Sequence, residues 1–322
     1  MFLDRNRFGI THSAFLNDYH IAYAYMDSIL TTQGRTPSDT NAIDQKKYIS
    51  MIKLYEESNE RKRLAYGILN KNESSCVYDY INKTWSSYNS GYFAYGYNER
   101  YGYVDTTGTA SGSITDNIII KGIAELIEKN EMALFWYLKR GYYIKKDLYV
   151  NSLIQIHKFI SNQVAIFESN NITNMYTYIV MLFENNIYVA SGASSNLNSD
   201  TALLNALSEA KLLEWQNYKN CQSPVFNYSK DKIYQYYLTL KSNSKKYKAE
   251  KQQEVKFNSN IKSLDIAILN KIDPIKSVTI KCCSKDLLAC LPKRKNILLS
   301  NNIFSKKLQL KNFNSIPDCI LL

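Results

Sequence analysis

Three glutamates, Glu125, Glu128 and Glu131, stand three residues apart in GTASGSITDNIIIKGIAELIEKNEMALFWY at 108–137. Carboxylates at this spacing could hold a hard cation such as Mg2+ together with the phosphates of a nucleotide. They could equally do no chemistry, because residues three and four apart are neighbours on a helix face, and Lys121, Glu125 and Lys129 are spaced to pair along it. At about 100° per residue, Asn117, Lys121, Glu125, Glu128, Lys129 and Glu131 share one side, while Ile119, Ile123, Leu126 and Ile127 fill the other. That is an amphipathic helix, and on this stretch alone a solvated face and a functional carboxylate cluster both stand.

Other residue types make a weaker case. The loop GTASGS lacks the lysine of GxxxxGK[ST], and no GxGxxG follows a strand, so neither nucleotide-cradling loop is present. Of the histidines His12, His20 and His157, none is followed at helical spacing by a second, which argues against zinc hydrolysis. Cys76, Cys221, Cys282, Cys283, Cys290 and Cys319 form no CxxC pair and read as free, buried thiols. A Cys–His nucleophile pair has no local signature here.

The elements that must position the carboxylates follow from the pattern. Residues 34–63 read as a helix led in by Thr-Pro-Ser-Asp, with Glu56 and Glu57 in its second half. The tyrosine- and glycine-rich stretch 76–103 reads as strands and turns rather than as a base-stacking surface. The glutamate helix spans about 114–140; 163–170, 176–184 and 187–194 read as strands, 195–216 as a helix, and 277–292 as a strand stopped by Pro292. Strands and helices without a strict βαβ rhythm predict an α+β, mixed α/β fold of mixed sheets packed with helices. We expect one domain over 1–322: a lead-in at 1–33, a core at 34–220, a charged connection at 241–260 and a C-terminal strand region at 261–322. A net charge of +11, concentrated late in the chain, would suit nucleic acid, an acidic peptide or a nucleotide, or simply be a solvated surface. The longest apolar runs fall far short of the roughly 20 residues that span a bilayer. The charged N-terminus MFLDRNRFGITH is unlike a signal peptide, so a cytoplasmic location is expected.

Four segments, in order, resemble one family. GTASGSITDNIIIKGIAELIEKN is similar to the YcaO-domain pattern of a G-x-A-x-G-N loop, an acidic pair and an E-x-x-E-R helix. SGASSNLNSDTALLNALSEA at 191–210 resembles a later segment of the same family, G-x-G-x-H-x-D-x-x-x-A-x-x-x-A-x-x-E-A. YISMIKLYEE at 48–57 sits where YcaO proteins carry a first S-A-x-x-E-x-x-E-R helix, and TIKCCSKDLLACLP resembles the late strand and its S-P-D-L turn.

The resemblance implies a YcaO fold that binds ATP and Mg2+ through glutamates of two helices. Carried over residue by residue, Glu56, Glu125 and Glu128 become the metal-binding glutamates. The ATP-binding set adds Lys53, which replaces the first glutamate of the first helix and could meet a phosphate. Ser113, in place of the loop asparagine, could do the same, and Asn117, in place of an acidic residue, could offer an oxygen. Glu57 and Lys129 stand where arginines usually follow, and Leu212 and Glu214 where a glutamine and an arginine are frequent.

The implied activity is azoline formation on a ribosomal precursor peptide, as in bacteriocin biosynthesis. A Cys, Ser or Thr side chain attacks the preceding carbonyl, ATP phosphorylates the oxyanion, and loss of phosphate leaves a thiazoline or oxazoline ring. The expected partners are the precursor peptide, a leader-binding protein, since only about 50 residues precede the first YcaO-like helix, and a flavin-dependent dehydrogenase. Two rival readings remain: a YcaO-fold scaffold that has lost catalysis, and a basic nucleic-acid-binding protein, although nucleic acid is not the expected partner.

Overall fold

The computed structural model describes residues 8–11, 18–26, 28–31, 34–69, 73–113, 115–219, 230–269, 277–300, 302–309 and 313–321; Cys221 lies outside them. In chain order the elements are β1 (Phe8–Thr11), β2 (His20–Tyr25), β3 (Leu30–Thr31), β4 (Gly34–Arg35), β5 (Asp39–Asp44), α1 (Lys47–Leu69), β6 (Ser74–Asp79), β7 (Thr84–Asn89), β8 (Gly96–Asn98), β9 (Gly102–Val104), β10 (Thr109–Gly112), α2 (Thr115–Leu138), β11 (Tyr142–Lys145), α3 (Leu148–His157), β12 (Gln163–Ser169), β13 (Tyr176–Glu184), β14 (Ile187–Asn196), α4 (Ser199–Lys219), α5 (Lys230–Leu240), β15 (Ser244–Lys246), β16 (Asp265–Ile268), β17 (Val278–Cys283), α6 (Arg294–Ser300) and α7 (Ile303–Leu308). Helices combined with several sheets make the α+β class expected from the sequence. Two compact units emerge, one of Met1–Lys129, Ser259–Leu291 and Lys295–Lys307, the other of Asn130–Asn258, Pro292–Arg294 and Leu308–Leu322.

In the first unit, β1, β2 and β5 form an antiparallel sheet, and a second sheet runs β10-β17-β16-β6-β7. The helix expected over 34–63 starts only at Lys47, and Asp39–Asp44 is strand β5 instead. Its alternate residues explain why: Ala42 enters the cluster that Ala22, Ala24 and Leu54 form beneath α1, and the Thr40 hydroxyl lies 3.1 Å from that of Ser58. Small residues on the strands let the helix lie close. Helix α1 buries a largely polar face, with Ser50, Ser58, Asn59 and Glu60 beside Leu54 and Leu64, a pattern that apolar packing alone would not select. Helix α2 approaches β17 so closely that a Cβ on Gly122 would lie 2.9 Å from Cys282 Sγ. Gly108, at φ +78°, makes the turn into β10 that an L side chain would strain.

In the second unit the sheet runs β14-β13-β12-β11-β15. Strand β13, YTYIVMLFE, is buried along almost its whole length, which is why it reads as an unbroken apolar run rather than an alternating one. Ala202, Leu203, Ala206, Leu207 and Ala210 of α4 join the core over this sheet. Residues 241–260, expected as a charged connection, carry β15, and their backbone pairs with Leu197, Ser199, Ile172 and Asn174.

Glu131 also belongs to this unit, fully buried. It accepts hydrogen bonds of 2.5–2.9 Å from the Asn171 and Ile172 amides, the Ser169 hydroxyl and the Asn171 side chain. Its role is to hold the turn after β12. Replacing Glu131 by Ala strands four donors inside the protein, and unsatisfied buried donors cost about 1–3 kcal/mol each before relaxation. We expect Glu131→Ala to lower the urea-unfolding free energy by about 2–4 kcal/mol, and Glu131→Gln, which keeps one acceptor oxygen, by clearly less. Equal losses in the two variants would show that the hydrogen bonds are not what the carboxylate supplies.

Candidate active site

In the first unit α1 and α2 bring their charged residues together beside β10. Glu60 Oε1 accepts from the Ser111 amide at 2.9 Å and from Lys121 Nζ at 3.1 Å. Lys121 Nζ also lies 3.6 Å from Glu56 Oε2. Glu57 accepts from the Asn41 amide at 3.1 Å and from Arg61 Nη2 at 2.6 Å, while Arg61 Nη1 donates to the Asp39 carbonyl. On α2, Lys129 Nζ is 2.6 Å from Glu128 Oε1, both residues being buried. No hydrogen bond or ion pair to a described residue holds Glu125, which lies within electrostatic reach of Glu60, Glu128, Lys129 and the buried Lys281 of β17.

The charges set the protonation states. Burial, then the neighbouring Glu60 charge, hold the Glu125 carboxyl well above the ordinary carboxylate range, and Lys129 offsets this only in part. Burial also raises Glu60, against the pull of Lys121, and raises Glu57, against that of Arg61. Desolvation disfavours the charged form of Lys121, yet Glu60, Glu56 and Glu125 together push its ammonium above its usual value. The carboxylates crowd one another, and the lysines and Arg61 make the crowding tolerable.

Among the residues expected from the sequence, Glu56, Glu125 and Glu128 fall in this cluster, Glu56 and Glu125 both acting on Lys121. Ser113 and Asn117 are exposed on either side of the start of α2. Lys53 does not join them: it is half exposed and pairs with Asp44 at 2.7 Å. Glu60 and Arg61 lie outside the residues expected from the sequence, and Glu57 carries no expected role. Their signal was present, because Glu57-Ser58-Asn59-Glu60-Arg61 spells E-x-x-E-R four residues beyond the register assigned to the first-helix motif.

Among the described residues no three His, Cys, Asp or Glu side chains are gathered closely enough to hold a metal ion, and the positive charge between Glu56 and Glu60 is the Lys121 ammonium. The donor set itself suits Mg2+. It offers oxygen alone and is largely buried, and in Glu60 and Glu125 burial and the neighbouring carboxylates hold the carboxyl above its ordinary range, a repulsion that a hard divalent cation relieves.

Comparison with known proteins gives this geometry a context. The family model described as YcaO cyclodehydratase, ATP- and Mg2+-binding, matches residues 74–267, more than half of the chain, and its match begins beyond α1. Comparison with curated proteins found no match. The fold is similar to that of YcaO from Methanopyrus kandleri bound with AMPPCP and Mg2+, at 10% identity and a TM-score of 0.66, covering 86% of this chain and 85% of that one. It is also similar to the E. coli microcin synthetase McbBCD complex with pro-MccB17 bound, at 10% identity and a TM-score of 0.60, covering 98% and 96%. A heterocyclase in complex with substrate and cofactor matches at 13% identity and a TM-score of 0.60; 86% of this chain is covered, but only 49% of that one. With the family model matching over β6 to β16, the chain belongs to the YcaO cyclodehydratase family, described as binding ATP and Mg2+.

Proposed function

We propose that this chain is the ATP- and Mg2+-dependent cyclodehydratase component that converts Cys, Ser or Thr of a ribosomal precursor peptide to azolines, working in a complex with a leader-binding protein. One observation carries the reading: carboxylates of α1 and α2, far apart in sequence, act on one another beside β10, Glu60 within electrostatic reach of Glu125 and both Glu56 and Glu60 beside the Lys121 ammonium of α2. Such an array suits a cation and phosphates better than it suits a core.

When bound, ATP and Mg2+ would supply a phosphoryl group to the oxygen of a peptide carbonyl and neutralise the charge that accumulates there. Glu60, Glu125 and Glu128, with Glu56 beside them, would hold the cation. The Ser111 amide fixes Glu60, and Arg61 fixes Glu57 against β5. Lys129 orients Glu128. Ser113 and Asn117, exposed on either side of the start of α2, would present polar groups to phosphate. No protein nucleophile is required, since the peptide's own side chain attacks; the chain's contribution is positioning and charge stabilisation. The same cluster also favours a second reading, a scaffold whose site is permanently balanced by Lys121, because that ammonium already lies between Glu56 and Glu60.

Nucleotide binding separates the two readings. We expect Glu60→Gln or Glu128→Gln to remove Mg2+–ATP binding measured by calorimetry, and to abolish phosphate release in the presence of the partner and a Cys/Ser/Thr-rich peptide, with the fold intact. A parent protein that binds no ATP would leave the scaffold reading standing.

Glu125 gives a further test through pH. Its folded pKa lies above the ordinary glutamate value of 4.5, so the proton it holds favours the native state fully below 4.5, and that contribution is lost as pH rises through the raised value. Glu125→Gln should therefore raise the melting temperature of the ligand-free protein near pH 7, by roughly 2–4 °C for each kcal/mol relieved, with the gain vanishing near pH 4. The same variant should lose its response to Mg2+–ATP. In the parent, Mg2+ affinity should increase with pH as Glu125 gives up its proton. A Glu125→Gln protein less stable than the parent at pH 7 would contradict this account.

A further inference from the structure

The chain has 27 tyrosines, and the hydroxyls of those most deeply buried find partners. Tyr101 donates to Asp265, Tyr137 to Asp318, Tyr178 to Glu168 and Tyr188 to Ser191, while Tyr237 accepts from Gln163. Tyr95 is different. Its hydroxyl is sealed from solvent and has no hydrogen-bond partner among the described residues. It follows Ala94, which lies against α1 so closely that a Cβ on Gly67 would come within 3.0 Å of the Ala94 Cβ.

Around this phenol stand the charges of the carboxylate cluster: Arg61, Asp105, Glu60 and Glu125 all act on it. One of them shares its condition. Arg61 spends its two terminal nitrogens on Glu57 and on the Asp39 carbonyl, but its Nε is buried and likewise without a partner. A phenol O–H and a guanidinium N–H, both desolvated and within electrostatic reach of each other, therefore have no acceptor between them. Buried donors left in this way are uncommon, and each is costly unless a ligand or water supplies the missing oxygen. The nearby carboxylates do not supply it: Glu60 Oε1 serves Ser111 and Lys121, Glu57 serves Asn41 and Arg61 Nη2, and neither the second Glu60 oxygen nor Glu125 bonds either donor.

We infer that Tyr95 Oη and Arg61 Nε together bind one phosphoryl oxygen of the nucleotide. The inference rests on the ATP reading of the cluster and adds to it a binding residue outside both E-x-x-E helices. An oxygen carrying negative charge satisfies both donors at once, and it explains why a site already crowded with carboxylates keeps these two donors unspent.

The test compares parent and Tyr95→Phe, titrated by calorimetry with AMPPCP and Mg2+, alongside thermal melts with and without these ligands. Tyr95→Phe deletes one oxygen that has no partner, so the ligand-free protein should melt at or above the parent's temperature. Nucleotide affinity should fall about tenfold or more, as expected for losing a hydrogen bond to a charged group, and the ligand-induced rise in melting temperature should shrink with it. Arg61→Lys, which keeps the charge but removes the Nε–H, should weaken binding, and the double variant should lose less than the sum, because both donors serve one oxygen. If the parent binds the nucleotide and Tyr95→Phe binds it equally well, the inference is overturned and the hydroxyl is satisfied by water. If the parent binds no nucleotide, the ATP reading falls, and this inference with it. A Tyr95→Phe protein that melts well below the parent would also overturn it, since the hydroxyl would then be serving the fold.

Discussion

Carboxylates brought together away from water cannot all ionise without nearby cations, and the first unit is arranged around that constraint. Glu56, Glu57 and Glu60 come from α1, Glu125 and Glu128 from α2, and their charges act on one another through a medium that screens them poorly. Lys121, Lys129, Arg61 and Lys281 supply the opposing charge. The packing serves the same end. Alanines of β2 and β5 let α1 lie close to its sheet, Gly122 lets α2 approach β17, and the Ser111 amide at the edge of β10 fixes Glu60. Substituting a bulkier residue at Gly122 would therefore disturb the charge array without touching any charge.

The row Glu125, Glu128, Glu131 resolves into two roles. Projected on a helical wheel, all three sit on the polar side with Lys121 and Lys129, as a solvated face would. Only Lys121 among these is substantially exposed. Glu128, Lys129 and Glu131 are buried, and Glu131 is fixed by backbone amides of a turn in the second unit. Periodicity identifies a polar face but says nothing about whether water or protein covers it. A carboxylate that meets four donors and one that meets other carboxylates have identical neighbours in sequence and opposite consequences: the first stabilises the fold, and the second stores repulsion that a cation can relieve.

The parts of the fold legible in the sequence were those whose signal is local. Strands β12 and β13 are largely apolar runs of the right length, β14 opens on the apolar IYVA, and α4 is led by Asn, Ser and Asp, so their types and rough limits could be read directly. Strand β5 was not legible, because DTNAID has too few apolar residues to mark a strand, and what holds it is long-range: pairing with β2 and cover from α1. Of the cluster, Glu125 and Glu128 were readable from spacing. On α1 the motif pattern selects YISMIKLYEE, whose Glu56 lies beside Lys121, and misses Glu60 one turn on, because nothing in the chain itself says which turn of a helix faces β10. The amide of Ser111, 51 residues away along the chain, makes that choice.

Two lysine–glutamate arrangements in this protein show what separates a structural ion pair from an exchangeable one. Lys211 and Glu214 are both wholly buried, with the Ser161 amide and hydroxyl and the Lys158 carbonyl completing their hydrogen bonds. Neither partner can leave without stranding the other, and removing one member of such a pair costs about 3–5 kcal/mol. Lys121 balances Glu56 and Glu60 from a side chain that is half exposed. Its ammonium is open to water on one side, and without it the carboxylates would be short of positive charge. A site that must accept and release a cation needs a counter-charge of this second kind: close enough to keep the empty cluster folded, and free enough to yield. On the proposed reading of the cluster as a cation site, that requirement accounts for a lysine among the glutamates.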